Sequence, residues 1–209
     1  MKKFFSILSL FILFLSFNSK AQLGSSKIIA GGVKFGVPNI VSLNAEFIPP
    51  ILGSHFSIYG DYSKINTTQS GISIGLNYLE LGSNIYLTGK GKGIYIGIGK
   101  SKLSTDLAYN DLEIMNSGFS YKASAATTLD INTTNFKVGY RTGGTFYFRF
   151  ELGFGFSKDI PKTIEITAKA YDTPLGTLTE IQTETIPEIS GISFDKGIPI
   201  GSLGFGLAF

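Results

Sequence analysis

The chain has 209 residues, 43% of them hydrophobic, with 26 glycines, no cysteine and a formal net charge of +3. Without cysteine there is no disulfide, no thiolate metal site and no lipidated cysteine. The excess charge sits at the start, in Lys2, Lys3 and Lys20; the 188 residues left after the first 21 carry 15 basic and 15 acidic groups, so no cationic field points to nucleic acid as a partner.

Lys2 and Lys3 precede an apolar run from Phe4 to Phe17, and Ser19 and Ala21 supply the small residues of a cleavage site. This is the pattern of a secretory signal peptide, residues 1–21, removed before Gln22. The apolar run, about 14 residues, is short for a spanning helix, which needs about 20. Residues 22–209 are expected to form a single domain.

From Lys27 onward the chain alternates. Ile29, Gly31, Val33 and Phe35 oppose Ala30, Gly32, Lys34 and Gly36, and Pro38 with Asn39 makes a turn. In a second strand Val41, Leu43, Ala45 and Phe47 oppose Ser42, Asn44 and Glu46, and Pro49 and Pro50 end it. A third runs from about His55 to Lys64, with Ser57, Tyr59 and Asp61 on its polar side. A polar link, Asn66 to Gly71, follows. In the fourth segment Ile72, Ile74 and Leu76 share one phase and Leu79, Leu81, Ile85 and Leu87 the other, which predicts a bulge near Asn77 or a separate loop strand.

Gly89, Gly91 and Gly93 mark a turn into a fifth strand with Ile94, Ile96 and Ile98 outward. Ser101 to Asp130 reads as an exposed hairpin extension turning near Asn116, Ser117 and Gly118. A sixth strand, about Ile131 to Arg141, turns through Thr142, Gly143 and Gly144 into a seventh, TFYFRFELGFGFS, whose one face is Phe146, Phe148, Phe150, Leu152, Phe154 and Phe156. The long link Lys158 to Gly197 contains two Thr-rich halves around Asp172 to Gly176, the pattern of a hairpin. The eighth strand ends the chain with Leu203, Phe205, Leu207 and Phe209 outward.

Eight strands with links that are short after the second, fourth and sixth, and longer after the third, fifth and seventh, predict an antiparallel up-and-down transmembrane barrel with its long hairpin loops outside the cell. No apolar run beyond the signal is long enough for a membrane helix, and lipid cannot satisfy an open strand edge, so a spanning sheet has to close. An eight-stranded barrel is filled by its own side chains. Lys34, Lys137, Arg141 and Arg149 then face Glu46, Asp61, Glu80 and Glu151 inside, four of each sign, and a paired network is the tolerable way to bury them. A simple register across the Thr142 turn sets Lys137 beside Arg149, with Glu151 or Glu46 needed between them.

The signal peptide, the eight alternating segments and the ending LGFGLAF resemble the small outer-membrane β-barrel proteins of Gram-negative bacteria. GVPNIVSLNAEF and GKGIYIGIG are more similar to those of the Bacteroidota than to the enterobacterial ones. The resemblance implies an outer-membrane location with both termini periplasmic, surrounded by lipid and lipopolysaccharide. It also implies a barrel-insertion signal at Leu203, Phe205, Leu207 and Phe209, read by the insertion machinery.

Function is less legible. His55, the one histidine, reads as a solvated turn residue, and neither a catalytic constellation nor a cofactor motif emerges, so a non-enzymatic protein is expected. Three readings stay open: a structural or recognition protein whose outer loops bind a surface ligand, a porin-like conduit for small or hydrophobic molecules, and a soluble periplasmic β-protein.

Overall fold

The structure is a computed structural model, and the residues it describes are 27–69, 71–116, 119–158, 160, 163–170, 178–185 and 197–209. The expected signal peptide with its cleavage point, and the turn residues Ser117, Gly118 and Asp172 to Gly176, lie outside them. Among the described residues there are ten strands: β1 (Ile29–Val37), β2 (Ile40–Phe47), β3 (Phe56–Gln69), β4 (Ile72–Tyr86), β5 (Gly93–Asn116), β6 (Phe119–Arg141), β7 (Phe146–Phe156), β8 (Thr163–Ala170), β9 (Leu178–Thr185) and β10 (Gly197–Ala208).

Eight of them, β1 to β7 and β10, close into an antiparallel barrel. The order runs β5-β4-β3-β2-β1-β10-β7-β6, and β5 pairs with β6 to complete the ring. The seam between the first and last strands is continuous from Ala30↔Ala208 to Val37↔Gly201, and the Phe209 carbonyl accepts from Ile28 N at 2.6 Å. The other two strands form the hairpin expected in the long link, and it is attached to the sheet: β8 pairs with β6 at Ala123 to Ala126.

Both ends of the described chain meet at one end of the barrel, together with the links that follow β2, β4 and β6. At that near end, Gly89, Gly91 and Gly93 all have positive φ (66°, 59° and 85°), which a side chain would resist. Their turn is laced to its neighbour by Lys90 N to Gly53 O and Gly91 N to Ser54 O, at 3.1 and 3.0 Å. His55 is an exposed residue of this rim, its Nδ1 2.6 Å from the Tyr86 carbonyl.

The far end is uneven. There the stretches expected as links after the third and fifth strands are largely strand themselves, so the wall formed by β3 to β6 stands far above the ends of β1, β2, β7 and β10. Two expectations change accordingly. Asn66 to Gln69 belong to β3 and pair with Ile72 to Gly75, so the polar link is mostly strand. No bulge occurs near Asn77 either, because β3 and β4 pair without a break from Phe56↔Ile85 to Gln69↔Ile72. The apolar side of β4 changes face because the surroundings of the strand change, and its register holds.

The β6–β7 register also differs from the simple one. Lys137 stands opposite Gly153, and Arg141 opposite Arg149. Thr142 sets this: its N donates to Phe148 O at 2.9 Å and its hydroxyl accepts from Phe148 N at 2.7 Å, while Phe146 and Thr145 are taken by β10. The turn is therefore wider than the Thr142, Gly143 and Gly144 triplet indicates.

Candidate functional site

The barrel wall separates two chemistries through strand alternation. Outward, aliphatic and aromatic side chains are open around the circumference: Leu43 is 63% exposed, Ile96 54%, Val138 57% and Phe205 57%. Inward, all eight charged residues singled out from the sequence, Lys34, Glu46, Asp61, Glu80, Lys137, Arg141, Arg149 and Glu151, are buried. In a soluble domain charged side chains mostly face water and large apolar ones are mostly buried; here the two are exchanged.

 The partners of those charges fall into two linked groups.

Glu46 is the hub nearer the rim of short turns. One oxygen accepts from Ser57, Asn84 and Tyr86 at 2.5, 2.9 and 2.7 Å. The other faces Arg141 at 3.2 Å and Arg149, so one carboxylate stands between two guanidinium groups that the strand register makes neighbours. Deeper in, Lys34 Nζ bridges Asp61 and Glu151 at 2.5 and 2.6 Å. Lys137 Nζ lies 3.0 Å from Glu80 and 4.2 Å from the centre of the Tyr59 ring. Arg149 joins the groups, 3.7 Å from Glu151 and 3.2 Å from Asn44 Oδ1. Burying charges is tolerable when they are paired and hydrogen-bonded, and both oxygens of the Glu46 carboxylate are so engaged, although Arg141 Nε and Arg149 Nε beside it have no hydrogen-bond partner among the described residues.

The tyrosines that complete this network were not singled out from the sequence. Tyr59 and Tyr78 both donate to Glu80, at 2.6 and 2.7 Å, and Tyr95 donates to Glu151 at 2.6 Å. The available signal was phase: Tyr59, Tyr78 and Tyr147 each stand two residues from Asp61, Glu80 and Arg149. Inward glycines make room for the rings. A Cβ at Gly139 would overlap Tyr95, and one at Gly82 or Gly99 would meet Tyr59. Gly139→Val is therefore expected to destabilise by about 1–3 kcal/mol, the usual range for overpacking, as read from urea-induced loss of the folded band on an unboiled gel.

Above the charges lies a polar ceiling and then an apolar one. Ser101 and Thr133 hydroxyls are 2.7 Å apart, and Asn135 bonds Tyr78 at 3.3 Å. Beyond them Pro38, Leu103, Ile198 and Ile200 converge on a gap with no volume for a water molecule. From this level the tall wall reverses its polarity. Its inward phase continues as Leu103, Thr105, Leu107 and Tyr109 on β5, and Leu76, Ile74 and Ile72 on β4. The outward phase turns polar, with Lys102 3.2 Å from Asp130 and Thr128 donating to Asp106 at 2.9 Å.

The four residues of the C-terminal motif take separate places along the seam. Leu203, Phe205 and Leu207 pair across to Phe35, Val33 and Gly31, and Phe205 stacks on Phe35 with ring centres 6.0 Å apart. Phe209 N donates to Ile29 O at 2.8 Å.

No family model matches the chain, and no curated protein matches it. Among solved structures it is similar to CarO of Acinetobacter baumannii, with 10% identity, a TM-score of 0.49 and coverage of 86% of this chain and 97% of that one. CarO2 of the same organism gives 14% identity, a TM-score of 0.48 and coverage of 88% and 99%. At that level of likeness neither protein lends this chain a function.

Proposed function

We propose that the chain is a non-enzymatic outer-membrane barrel of a Gram-negative bacterium, of the Bacteroidota type, whose filled interior conducts nothing and whose tall hairpins present a recognition surface outside the cell. The observation that carries this reading is the exchange of chemistry across the wall, with charges buried inside and large apolar groups exposed around the outside. In water that arrangement would be costly; in hydrocarbon it is the favourable one. The near end, with both chain ends and the short turns, then faces the periplasm, and lipid and lipopolysaccharide surround the belt. Leu203, Phe205, Leu207 and Phe209 serve the insertion machinery as its signal, with Phe209 at the tip.

The network around Glu46 and Lys34, closed above by Ile198 and Ile200, supports a structural role for the interior over a conduit through it. Reconstituted into planar bilayers, the folded protein is expected to give no conductance above background. Steady single-channel steps would sink the filled-interior reading. Detergent-dependent extraction and a mobility shift between unboiled and boiled samples test the membrane assignment separately, and extraction by buffer alone would favour the soluble alternative. Deleting Phe209 is expected to lower the amount of assembled barrel in cells sharply while purified protein still folds in detergent; equal assembly in cells would remove the insertion role.

A further inference from the structure

We propose that the axis-facing side of the tall wall holds the hydrocarbon chain of an amphiphile drawn from the outer leaflet. The inference rests on the outer-membrane reading and names the ligand class for its recognition surface. Four paired rows make the face. Leu103 lies between Tyr78 and Ile131, Thr105 between Leu76 and Leu129, Leu107 between Ile74 and Thr127, and Tyr109 between Ile72 and Ala125. The register is unbroken through these rows, so they continue the inward phase of the barrel.

The face carries no charge in these rows. Lys100, Lys102, Asp106 and Asp130 stand in the opposite phase. A strand with its charged side toward water and its apolar side toward an axis is built to enclose something apolar. Yet Ile72, Ile74, Leu107 and Tyr109 remain 42%, 41%, 39% and 38% exposed. From Leu103 to Tyr109 the face rises about 20 Å at ordinary strand spacing, a length suited to an extended acyl chain.

The approach to this face identifies the source. Its floor is sealed by Pro38, Leu103, Ile198 and Ile200, which excludes delivery through the barrel. On the low side, Pro38 belongs to both the floor and the β1–β2 turn, where Val37 and Ile40 are 54% and 56% exposed. Apolar surface therefore runs from the outer belt over that rim to the floor of the face. A chain leaving the leaflet by this route meets the apolar side chains of Val37, Pro38 and Ile40 before the floor of the face.

The test uses the full-length mature protein in nanodiscs containing a phospholipid with a photoactivatable diazirine on its acyl chain, with cross-linked peptides mapped by mass spectrometry. Cross-links are expected on the belt, at the peptide containing Ile96, and also at the peptides containing Ile74 and Leu107. The double variant Ile74→Asn with Leu107→Asn should lower the yield at the upper peptides about tenfold, the loss expected when buried aliphatic contacts are replaced by polar ones, with the belt yield unchanged. Thr105→Trp, which fills the face instead of making it polar, should give the same selective loss. Cross-links confined to the belt, or upper cross-links that neither variant reduces, overturn the proposal while leaving the membrane reading intact. Absence of belt cross-links would instead overturn the membrane reading itself.

Discussion

Replacing Glu46 with leucine is expected to lower the unfolding free energy by about 3–5 kcal/mol, the cost of breaking a buried ionic group by removing the carboxylate that two cations share. Arg141 and Arg149 stand opposite one another on β6 and β7, and Glu46 is the carboxylate that contacts both. Remove it and two guanidinium groups confront each other inside a wall that admits little water, while Ser57, Asn84 and Tyr86 lose a shared acceptor. The measurement is the urea midpoint of the folded band on unboiled gels, with the slope of the transition used to convert it to free energy. A loss below about 1 kcal/mol would show that the carboxylate does not hold the pair. A companion triple variant, Glu46→Leu with Arg141→Met and Arg149→Met, separates charge imbalance from lost packing. Replacing buried ion partners together by apolar residues of similar volume is often neutral or better, and Glu151 keeps Lys34 at 2.6 Å after Arg149 is gone, so this variant is expected to recover most of the stability.

Ile96→Arg is expected to cost about 2–4 kcal/mol in a lipid bilayer, the range for a cation at the midplane of a barrel's outer face. Ile96 is the middle of the outward row Ile94, Ile96 and Ile98 and is flanked across the sheet by Ile85 and Val138. It is already 54% exposed, so in a water-soluble protein the same substitution would fall within about 0.5 kcal/mol. Asn66→Arg supplies the contrast, since Asn66 is exposed on β3 above the apolar belt and is expected to show a change of no more than about 0.5 kcal/mol. Folding in lipid vesicles across a urea series gives both values. Equal effects at the two positions would contradict a hydrocarbon belt around the lower wall.

The period-two pattern by itself determined a good deal about this protein. Phase alone assigned Phe148, Phe205 and Val138 outward and all eight charges inward, because a strand offers each residue one of two sides. The equal number of inward acids and bases likewise made an ionic interior legible. The tertiary structure decided who pairs with whom. Lys34 and Glu151 lie 117 residues apart and meet at 2.6 Å, and the bridging position of Glu46 depends on a register fixed by β10 and Thr142.

Ile72, Ile74 and Leu76 mark the limit most clearly. A switch in apolar phase looks the same whether the strand slips by one residue or keeps its register while the medium around it changes. The unbroken β3–β4 pairing selects the second case. Alternation reports which side chains share a face, and only the assembled sheet shows what that face meets.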